Sequence, residues 1–237
     1  MPAAQPRVVV ITGGSRGIGL ATAKAFAAHG DQVIITGRYA GRLKSAAEQI
    51  RPEDRVDSIA FDVTDRASVE GAFQQIASRY GRIDVLFNNA GVAHALAPVE
   101  KLAPEVWREV IETNLTGTYL VTRAALPLTG AGSSIVNNLS IAAMQPFSGM
   151  SAYNAAKFGA LGFTKAVREE VREKGIRVIA LLPGATDTEI WQQFWPEAPR
   201  EKMMKPETVA DAILHAVSAP PEASVEELMI GPTAGVL

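Results

Sequence analysis

A short apolar run, a glycine-rich turn and an alanine-rich stretch follow one another near the start of the chain, and they limit its fold more than any other feature. Residues 8–11 are all β-branched, as in a strand buried on both faces of a sheet. They lead into the turn Thr12-Gly-Gly-Ser-Arg-Gly17-Ile-Gly19 and then into a helical stretch over 20–28. Such a turn brings backbone amides and a helix N-terminus up to a phosphate. The order therefore favours a nucleotide-binding α/β sheet over a tight turn that is merely rich in glycine.

Strands and helices continue to alternate along the rest of the chain. The other predicted strands are 32–36, 56–61, 83–87, 134–139, 177–182 and 227–230. The other predicted helices are 42–50, 67–79, 104–125, 153–173 and 208–217, with Asp65 capping the one at 67–79. This alternation predicts a parallel sheet with helices on both faces and right-handed crossovers.

Composition narrows the class of protein further. With 237 residues, 47% of them hydrophobic, and no linker or repeat, we expect one domain over 1–237. The net charge is −2 and the basic residues are scattered, which gives no support for nucleic-acid binding. Cysteine is absent and the three histidines are far apart, so we predict no metal site. The N-terminus lacks a basic region followed by a long apolar segment, and we expect a soluble, cytoplasmic protein without a membrane span.

Polar or glycine residues follow six of the predicted strands. In open parallel sheets the ligand lies beyond the carboxyl ends of the strands, where the strand order switches. The residues at these ends are Gly13 to Gly19, Gly37-Arg38, Asp62-Val63, Asn88-Asn-Ala-Gly91, Ser140 and Pro183-Gly184. We expect them to converge on one edge of the sheet and to form a single site.

Tyr153 and Lys157 lie four residues apart in a predicted helix whose neighbouring residues are small. This spacing stacks the two side chains on one face and leaves room for a cofactor or substrate. A nearby ammonium group lowers the pKa of a phenol toward a useful range. The alternative is an ordinary helical pair on a solvated face; the convergence of the strand ends favours the active-site interpretation.

Taken together, these motifs resemble the short-chain dehydrogenase/reductase family in its compact single-domain branch. The resemblance covers essentially the whole chain, in order: Thr12-Gly-x-x-x-Gly17-x-Gly19, Asp62, Asn88-Asn-Ala-Gly91, Asn114, Ser140, Tyr153-x-x-x-Lys157, and Pro183-Gly184 with Thr188. It implies a Rossmann-type, doubly wound, seven-stranded parallel sheet. It also implies NAD(P)(H)-dependent transfer of hydride between the nicotinamide and a carbonyl or secondary alcohol. Thr186 departs from the family pattern, in which an apolar residue is common at this position.

The resemblance also assigns roles to individual residues. Tyr153 would be the general acid/base, Lys157 would lower its pKa and hold the nicotinamide ribose, Ser140 would bind the substrate oxygen, and Asn114 would anchor a water that relays protons. Asp62 would hold the adenine amino group, although a turn role is the alternative for it, and Ser140 could simply end its strand. The implied cofactor-binding residues are Thr12, Gly13, Ser15, Arg16, Gly17, Ile18, Gly19, Arg38, Asp62, Val63, Asn89, Ala90, Gly91, Tyr153, Lys157, Pro183, Gly184, Thr186 and Thr188.

The second strand favours NADP(H) over NAD(H). Where relatives that bind NAD carry an acidic residue for the ribose hydroxyls, this chain has Gly37 followed by Arg38. Arg16 can reach the same locality, and two guanidinium groups suit a 2′-phosphate. We therefore predict NADP(H) as the cofactor.

We expect segment 188–205 to line the substrate pocket. Segment 188–205 is dense in aromatic and apolar side chains, and it is either a lid over the site or a segment packed into the core or a subunit contact.

The alternative function is a catalytically silent NADP-binding regulatory or interaction protein on the same fold; intact Ser140, Tyr153 and Lys157 favour the enzyme. Epimerases of the extended branch share the tyrosine and lysine but differ in glycine spacing. Relatives usually pair through their two long helices, so we expect a homotetramer or homodimer.

Overall fold

Seven parallel strands form one sheet in the computed structural model, which describes residues 5–235. Residues 1–4 and 236–237 of the predicted domain lie outside the described residues. The strands are β1 (Val8–Thr12), β2 (Gln32–Gly37), β3 (Val56–Ala60), β4 (Val85–Asn88), β5 (Ser134–Asn138), β6 (Arg177–Pro183) and β7 (Glu227–Ile230). Their order across the sheet is β3-β2-β1-β4-β5-β6-β7. The chain reverses direction across the sheet between β1 and β4, which is where a doubly wound sheet opens a crevice for ligands.

Helices cover both faces of the sheet. They are α1 (Gly17–His29), α2 (Ala40–Ala47), α3 (Arg66–Tyr80), α4 (Pro104–Ile111), α5 (Gly117–Ala125), α6 (Ser151–Val171), α7 (Trp191–Phe194) and α8 (Pro206–Val217). Asp65 caps α3 as predicted, because its side chain accepts a hydrogen bond from the amide of Ala67.

The first strand shows why a continuous β-branched run is needed. Val9 and Ile11 face a cluster that includes Phe26 of α1 and Ile213 of α8. Val8 and Val10 face the opposite cluster, formed with α3, α5 and α6. Both sides of β1 are therefore buried, as predicted, since each residue of the strand packs against one of two helical layers.

The predicted elements exist, and most of their ends differ by only a few residues from the observed ones. The largest difference is in the predicted helix 104–125, which is interrupted by a π-helical turn at Glu112–Thr116. There the Asn114 side-chain amide donates to the Val110 carbonyl oxygen at 2.9 Å, the acceptor that the Asn114 backbone amide would use in a regular α-helix. The short helix α7 lies inside segment 188–205, for which no helix was predicted.

Candidate active site

A cavity of about 440 Å³ lies at the carboxyl ends of the strands. Its wall contains residues that follow each of β1 to β6, so the six predicted strand ends do converge on one edge. Of the predicted site residues, only Thr12 and Gly19 lie behind the wall, and the others line it.

The glycine-rich turn is built by close approach of backbone atoms. Gly13 and Gly17 have φ values of +64° and +53°, which residues other than glycine rarely adopt. A Cβ at Gly19 would lie 2.4 Å from the Gly13 carbonyl oxygen, so α1 can begin here only if that residue is glycine. The N-terminus of α1 has no side-chain cap, which leaves its first amides available to a phosphate.

Thr12 holds the turn against the loop that follows β4. Its hydroxyl oxygen accepts hydrogen bonds from the backbone amides of Asn89 and Ala90, at 2.9 and 3.0 Å. The Asn89 side-chain amide donates in return to the carbonyl oxygens of Thr12 and Gly13. Thr12 thus shapes the site from beneath without lining it.

Positive charge gathers where β2 ends. Arg16, Arg38 and Arg42 all line the cavity and are exposed. The guanidinium carbons of Arg38 and Arg42 lie 5.6 and 4.8 Å from the Tyr39 ring centroid. Arg42 was not among the predicted residues, although its place in the first turn of α2, four residues after Arg38, is a signal that would have found it.

Asp62 combines the two roles considered for it. Its Oδ1 atom accepts from the amide and the hydroxyl of Thr64, at 2.9 and 2.8 Å, which is a turn interaction. The residue also lines the cavity beside Val63. One carboxylate oxygen of Asp62 is therefore bound within the turn. The turn interaction and a contact to a ligand are compatible, because the residue lines the cavity at the same time.

Asn114 fastens the loop after β4 to the π-helical turn. Its side-chain amide donates to the Val92 carbonyl oxygen at 2.9 Å, and its side-chain oxygen accepts from the Val92 amide at 3.3 Å. A Cβ at Gly91 would lie 2.6 Å from that same oxygen. Gly91 is thus required for the loop after β4 to approach Asn114.

Ser140, Tyr153 and Lys157 line the same cavity. Ser140 adopts φ +154° and ψ 162°, a region seldom occupied by residues other than glycine, and its hydroxyl oxygen accepts from the Ala142 amide at 3.0 Å. Lys157 is 6% exposed, and its Nζ atom lies 5.4 Å from the centroid of the Tyr153 ring. The two helical side chains are therefore neighbours, as their spacing predicts.

Burial controls the pKa of both groups. It raises the pKa of Tyr153 to about 12, and the hydrogen bond with Ser140 acts in the opposite direction. It lowers the pKa of the Lys157 ammonium to about 8. The expected lowering of the Tyr153 pKa is not seen in this structure, because the loss of hydration around the phenol is the largest influence on it.

Asn138 is a site residue that the sequence predictions missed. Its backbone carbonyl oxygen accepts a 2.8 Å hydrogen bond from Lys157 Nζ, and its side-chain amide donates to Asn89 Oδ1 at 2.9 Å. Its own Oδ1 atom is buried without a partner in the described part of the chain. A polar residue two positions before Ser140, at the end of a predicted strand, was the available signal.

Two features are absent from residues 5–235. No group of three histidine, aspartate or glutamate residues in this range could hold a metal ion. No helix in the same range combines the length and the apolar character needed to cross a bilayer.

The fold and the site together define a class of protein: a Rossmann-type oxidoreductase for a nicotinamide cofactor. The family model for short chain dehydrogenase matches residues 7–199. The chain belongs to this family.

Relatives of known name act on different substrates. The chain is 33% identical to sulfoacetaldehyde reductase 2 of Chromohalobacter salexigens, across 95% of this chain and 94% of the relative. It is 36% identical to a 3-oxoacyl-[acyl-carrier-protein] reductase of Chlamydia muridarum, across 90% of each chain. Serine 3-dehydrogenase of Agrobacterium fabrum is 37% identical, across 76% of this chain and 72% of the relative.

Two solved structures that resemble the chain are cofactor complexes, one with an NADP derivative and one with NADH. An alcohol dehydrogenase from Thermococcus sibiricus, complexed with 5-hydroxy-NADP, superposes with a TM-score of 0.89 at 30% identity, across 98% of each chain. A 3-ketoacyl-(acyl-carrier-protein) reductase from Brucella melitensis, complexed with NADH, gives 0.86 at 29% identity, across 95% of this chain and 96% of that chain.

Proposed function

We propose that this protein is an NADP(H)-dependent reductase of ketones or aldehydes that also catalyses the reverse oxidation of the alcohol. The observation that carries the proposal is that Ser140, Tyr153 and Lys157 share one cavity with the glycine-rich turn and with the arginines at the end of β2. A nucleotide-binding module without turnover has no need for a partly buried phenol and a buried ammonium group in the same cavity.

Tyr153 is the proton donor in this proposal. With a pKa of about 12, its phenol carries a proton at neutral pH and can give it to a carbonyl oxygen that gains negative charge. Ser140 can donate its hydroxyl proton to the same oxygen, because its own oxygen is already oriented by the Ala142 amide. When bound, the nicotinamide supplies or accepts the hydride.

Lys157 holds charge beside the phenol. Its ammonium group stabilises the negative charge that remains on Tyr153 after the proton is given, and its hydrogen bond to Asn138 fixes its position. Asn114 acts at a distance, since its side chain fastens the loop at Val92 that forms part of the same wall. We assign Asn114 a positioning role in addition to the water-anchoring role that the family resemblance implies.

The cavity suits a nicotinamide dinucleotide that carries a 2′-phosphate. The uncapped N-terminus of α1 presents amides to the diphosphate position, and the volume of about 440 Å³ falls within the usual range of ligand pockets. Arg16, Arg38 and Arg42 would hold the 2′-phosphate, for which each guanidinium group offers paired donors. Segment 37–42 contains no carboxylate that would compete for ribose hydroxyls or repel the phosphate.

The test is to follow NADPH oxidation by the purified protein with a panel of ketones and aldehydes, together with the variant Tyr153→Phe. We expect turnover by the wild type and a loss of about 10²-fold or more in kcat for the variant, with NADPH affinity retained. Folding of the variant is checked by circular dichroism. Near-native turnover by folded Tyr153→Phe would contradict the assignment of the proton donor, and the absence of turnover with every carbonyl would favour the catalytically silent alternative.

A further inference from the structure

The cavity has two chemically different ends. Aliphatic and aromatic side chains share the wall with Ser140 and Tyr153, and we call them the apolar end: Leu96, Ile141, Phe147, Trp191, Phe194 and Trp195. The charged residues of the wall lie elsewhere, with the exception of Lys157. Arg16, Arg38, Arg42 and Asp62 surround the ends of β1 to β3, and Glu189 Oε2 is 3.6 Å from the position of a Cβ on Gly17.

The basic groups near the apolar end are held by other partners. Lys157 is bound to the Asn138 carbonyl oxygen. Arg200 donates to Asp187 Oδ1 at 2.5 Å and to the Thr188 carbonyl oxygen at 2.8 Å, and it does not line the cavity. His94 is buried behind the wall, with Nδ1 2.8 Å from the Ala95 carbonyl oxygen. Among the described residues, Lys157 is thus the one cationic side chain of the wall at the apolar end, and its ammonium group is already engaged by the Asn138 carbonyl oxygen and lies beside the Tyr153 ring.

The aromatic part of the wall is anchored in place. Trp191 Nε1 donates to the Thr186 carbonyl oxygen at 2.8 Å, and its ring centroid lies 4.7 Å from that of Phe194 and 6.2 Å from that of Trp195. The side-chain oxygen of Gln193 accepts from the Ala93 amide at 2.8 Å, which ties α7 to the loop after β4. These contacts hold the rings at the mouth of the cavity, where Trp195 remains 38% exposed.

We propose that the substrates are uncharged carbonyl compounds with an apolar body of aromatic size, and that the site rejects carboxylates and sulfonates. The inference rests on the proposed function and names its substrate class. An anion placed against these side chains would lose its hydration and would have to compete for Lys157, which already serves Tyr153 and Asn138, whereas an apolar body would bury its surface against several rings. The apolar end therefore selects against charge as well as for size.

A matched pair of substrates isolates the charge. Ethyl benzoylformate and benzoylformate present the same ketone and the same ring, and they differ in whether the neighbouring group is an ester or a carboxylate. We expect the ester to have the higher kcat/KM by at least about 100-fold, since burying an unpaired carboxylate is costly. Sulfoacetaldehyde should also be a poor substrate. Equal or better use of benzoylformate, or efficient reduction of sulfoacetaldehyde, would overturn the inference.

Two arginine substitutions on one helix test whether the wall itself discriminates. Phe194→Arg places a cation in the apolar end, and it should reduce the ester-to-acid ratio at least about tenfold. Gln192→Arg adds the same charge at an exposed position of α7 outside the wall, and it should leave the ratio unchanged. If Phe194→Arg does not fold, Leu96→Arg, at a wall residue that is 51% exposed, serves the same purpose. A folded wall variant with the wild-type ratio would contradict the proposal.

Calorimetric titration separates this inference from the proposed function. The ester and the acid are each titrated into the protein saturated with NADP⁺, where no reduction occurs. Tighter binding of the ester without turnover of any carbonyl would refute the proposed reaction and support the apolar ligand class. Equal or tighter binding of the acid, or no binding of either compound, would overturn the ligand class even if some other carbonyl is reduced.

Discussion

The Lys157 ammonium donates a 2.8 Å hydrogen bond to the backbone carbonyl oxygen of Asn138, two residues before Ser140. The Asn138 side chain continues the connection to Asn89, which in turn donates to the carbonyl oxygens of the glycine-rich turn. A chain of hydrogen bonds therefore runs from the buried lysine on α6 across the ends of β5 and β4 to β1. We infer that the reacting end and the phosphate-binding end of the cavity are held in fixed relation by this connection.

The first prediction concerns the stability of the protein without ligand. Burial lowers the pKa of Lys157 from 10.5 to about 8, so the charged form of this lysine destabilises the native state at neutral pH. The unfolded chain binds more protons than the native chain between these two values, and the stability contributed by this residue therefore rises as pH increases through that window. We expect Lys157→Met to raise the Tm at pH 7 by about 6–12 °C, since the lowered pKa corresponds to about 3 kcal/mol and each kcal/mol to roughly 2–4 °C in a protein of this size.

The increase in Tm caused by Lys157→Met should become smaller as the pH approaches 10, where the lysine of the native state is already neutral. Scanning calorimetry at several pH values measures it, and Lys165→Met, at a half-exposed lysine of the same helix, is the control. A lower Tm for Lys157→Met at every pH would show that the hydrogen bond to Asn138 outweighs the cost of burial.

The second prediction concerns cofactor preference. We expect kcat/KM with NADPH to exceed that with NADH by at least about tenfold, and Arg38→Ala to lower the NADPH value alone. The loss should be about 10- to 150-fold, since a hydrogen bond to a charged group contributes about 1.5–3 kcal/mol. Arg66→Ala is the matched control, because Arg66 is exposed and paired with Glu70 outside the cavity. Steady-state kinetics with both cofactors decide the matter, and an unchanged preference in Arg38→Ala would mean that this arginine is only a surface charge.

The third prediction concerns Asn114. Replacing it with leucine keeps most of its volume and leaves the Val92 and Val110 carbonyl oxygens without their side-chain donor. We expect a loss of about 1–3 kcal/mol in the free energy of unfolding, because buried polar groups lose their partners, together with a loss of activity. Thr118→Val removes one hydroxyl from the first turn of α5 and should cost less, since within residues 5–235 the Thr118 hydroxyl donates only to the Asn114 carbonyl oxygen. Denaturant titration that finds the two variants equally stable would refute the positioning role.

The fourth prediction concerns assembly. Trp107, Tyr119 and Phe158, on α4, α5 and α6, are each more than two-fifths exposed in the single chain. We propose that these helices pair in a homotetramer or homodimer, which would cover the rings. Phe158→Glu should then shift the molecular mass measured by light scattering toward the monomer. Val99→Asp, at a more exposed residue on the loop before α4, should leave the mass unchanged. A wild-type protein that is monomeric at micromolar concentration would exclude the proposal.

The strands, the crossovers and the family were all predictable from local patterns. Val8 to Ile11 and the glycines after it can be interpreted without knowledge of the rest of the chain, because a β-branched run and a tight turn each restrict the local backbone. The spacing of Tyr153 and Lys157 also predicts their proximity, since residues four apart on a helix lie on one face.

Other features depend on contacts between residues distant in sequence. Asn138 joins Lys157 to Asn89, and Asn114 reaches Val92 through a π-helical turn, so neither arrangement follows from neighbouring residues alone. The pKa of Tyr153 was predicted in the wrong direction because spacing reveals a nearby ammonium group but does not reveal how much water both groups lose on folding. The presence of the rings of α7 in the same cavity as Ser140 likewise required the fold, since a short segment between β6 and α8 acquires its place only from what it packs against. Periodicity and turn chemistry are properties of adjacent residues and can be determined from sequence; hydration, charge environment and the shape of the cavity are properties of the folded whole.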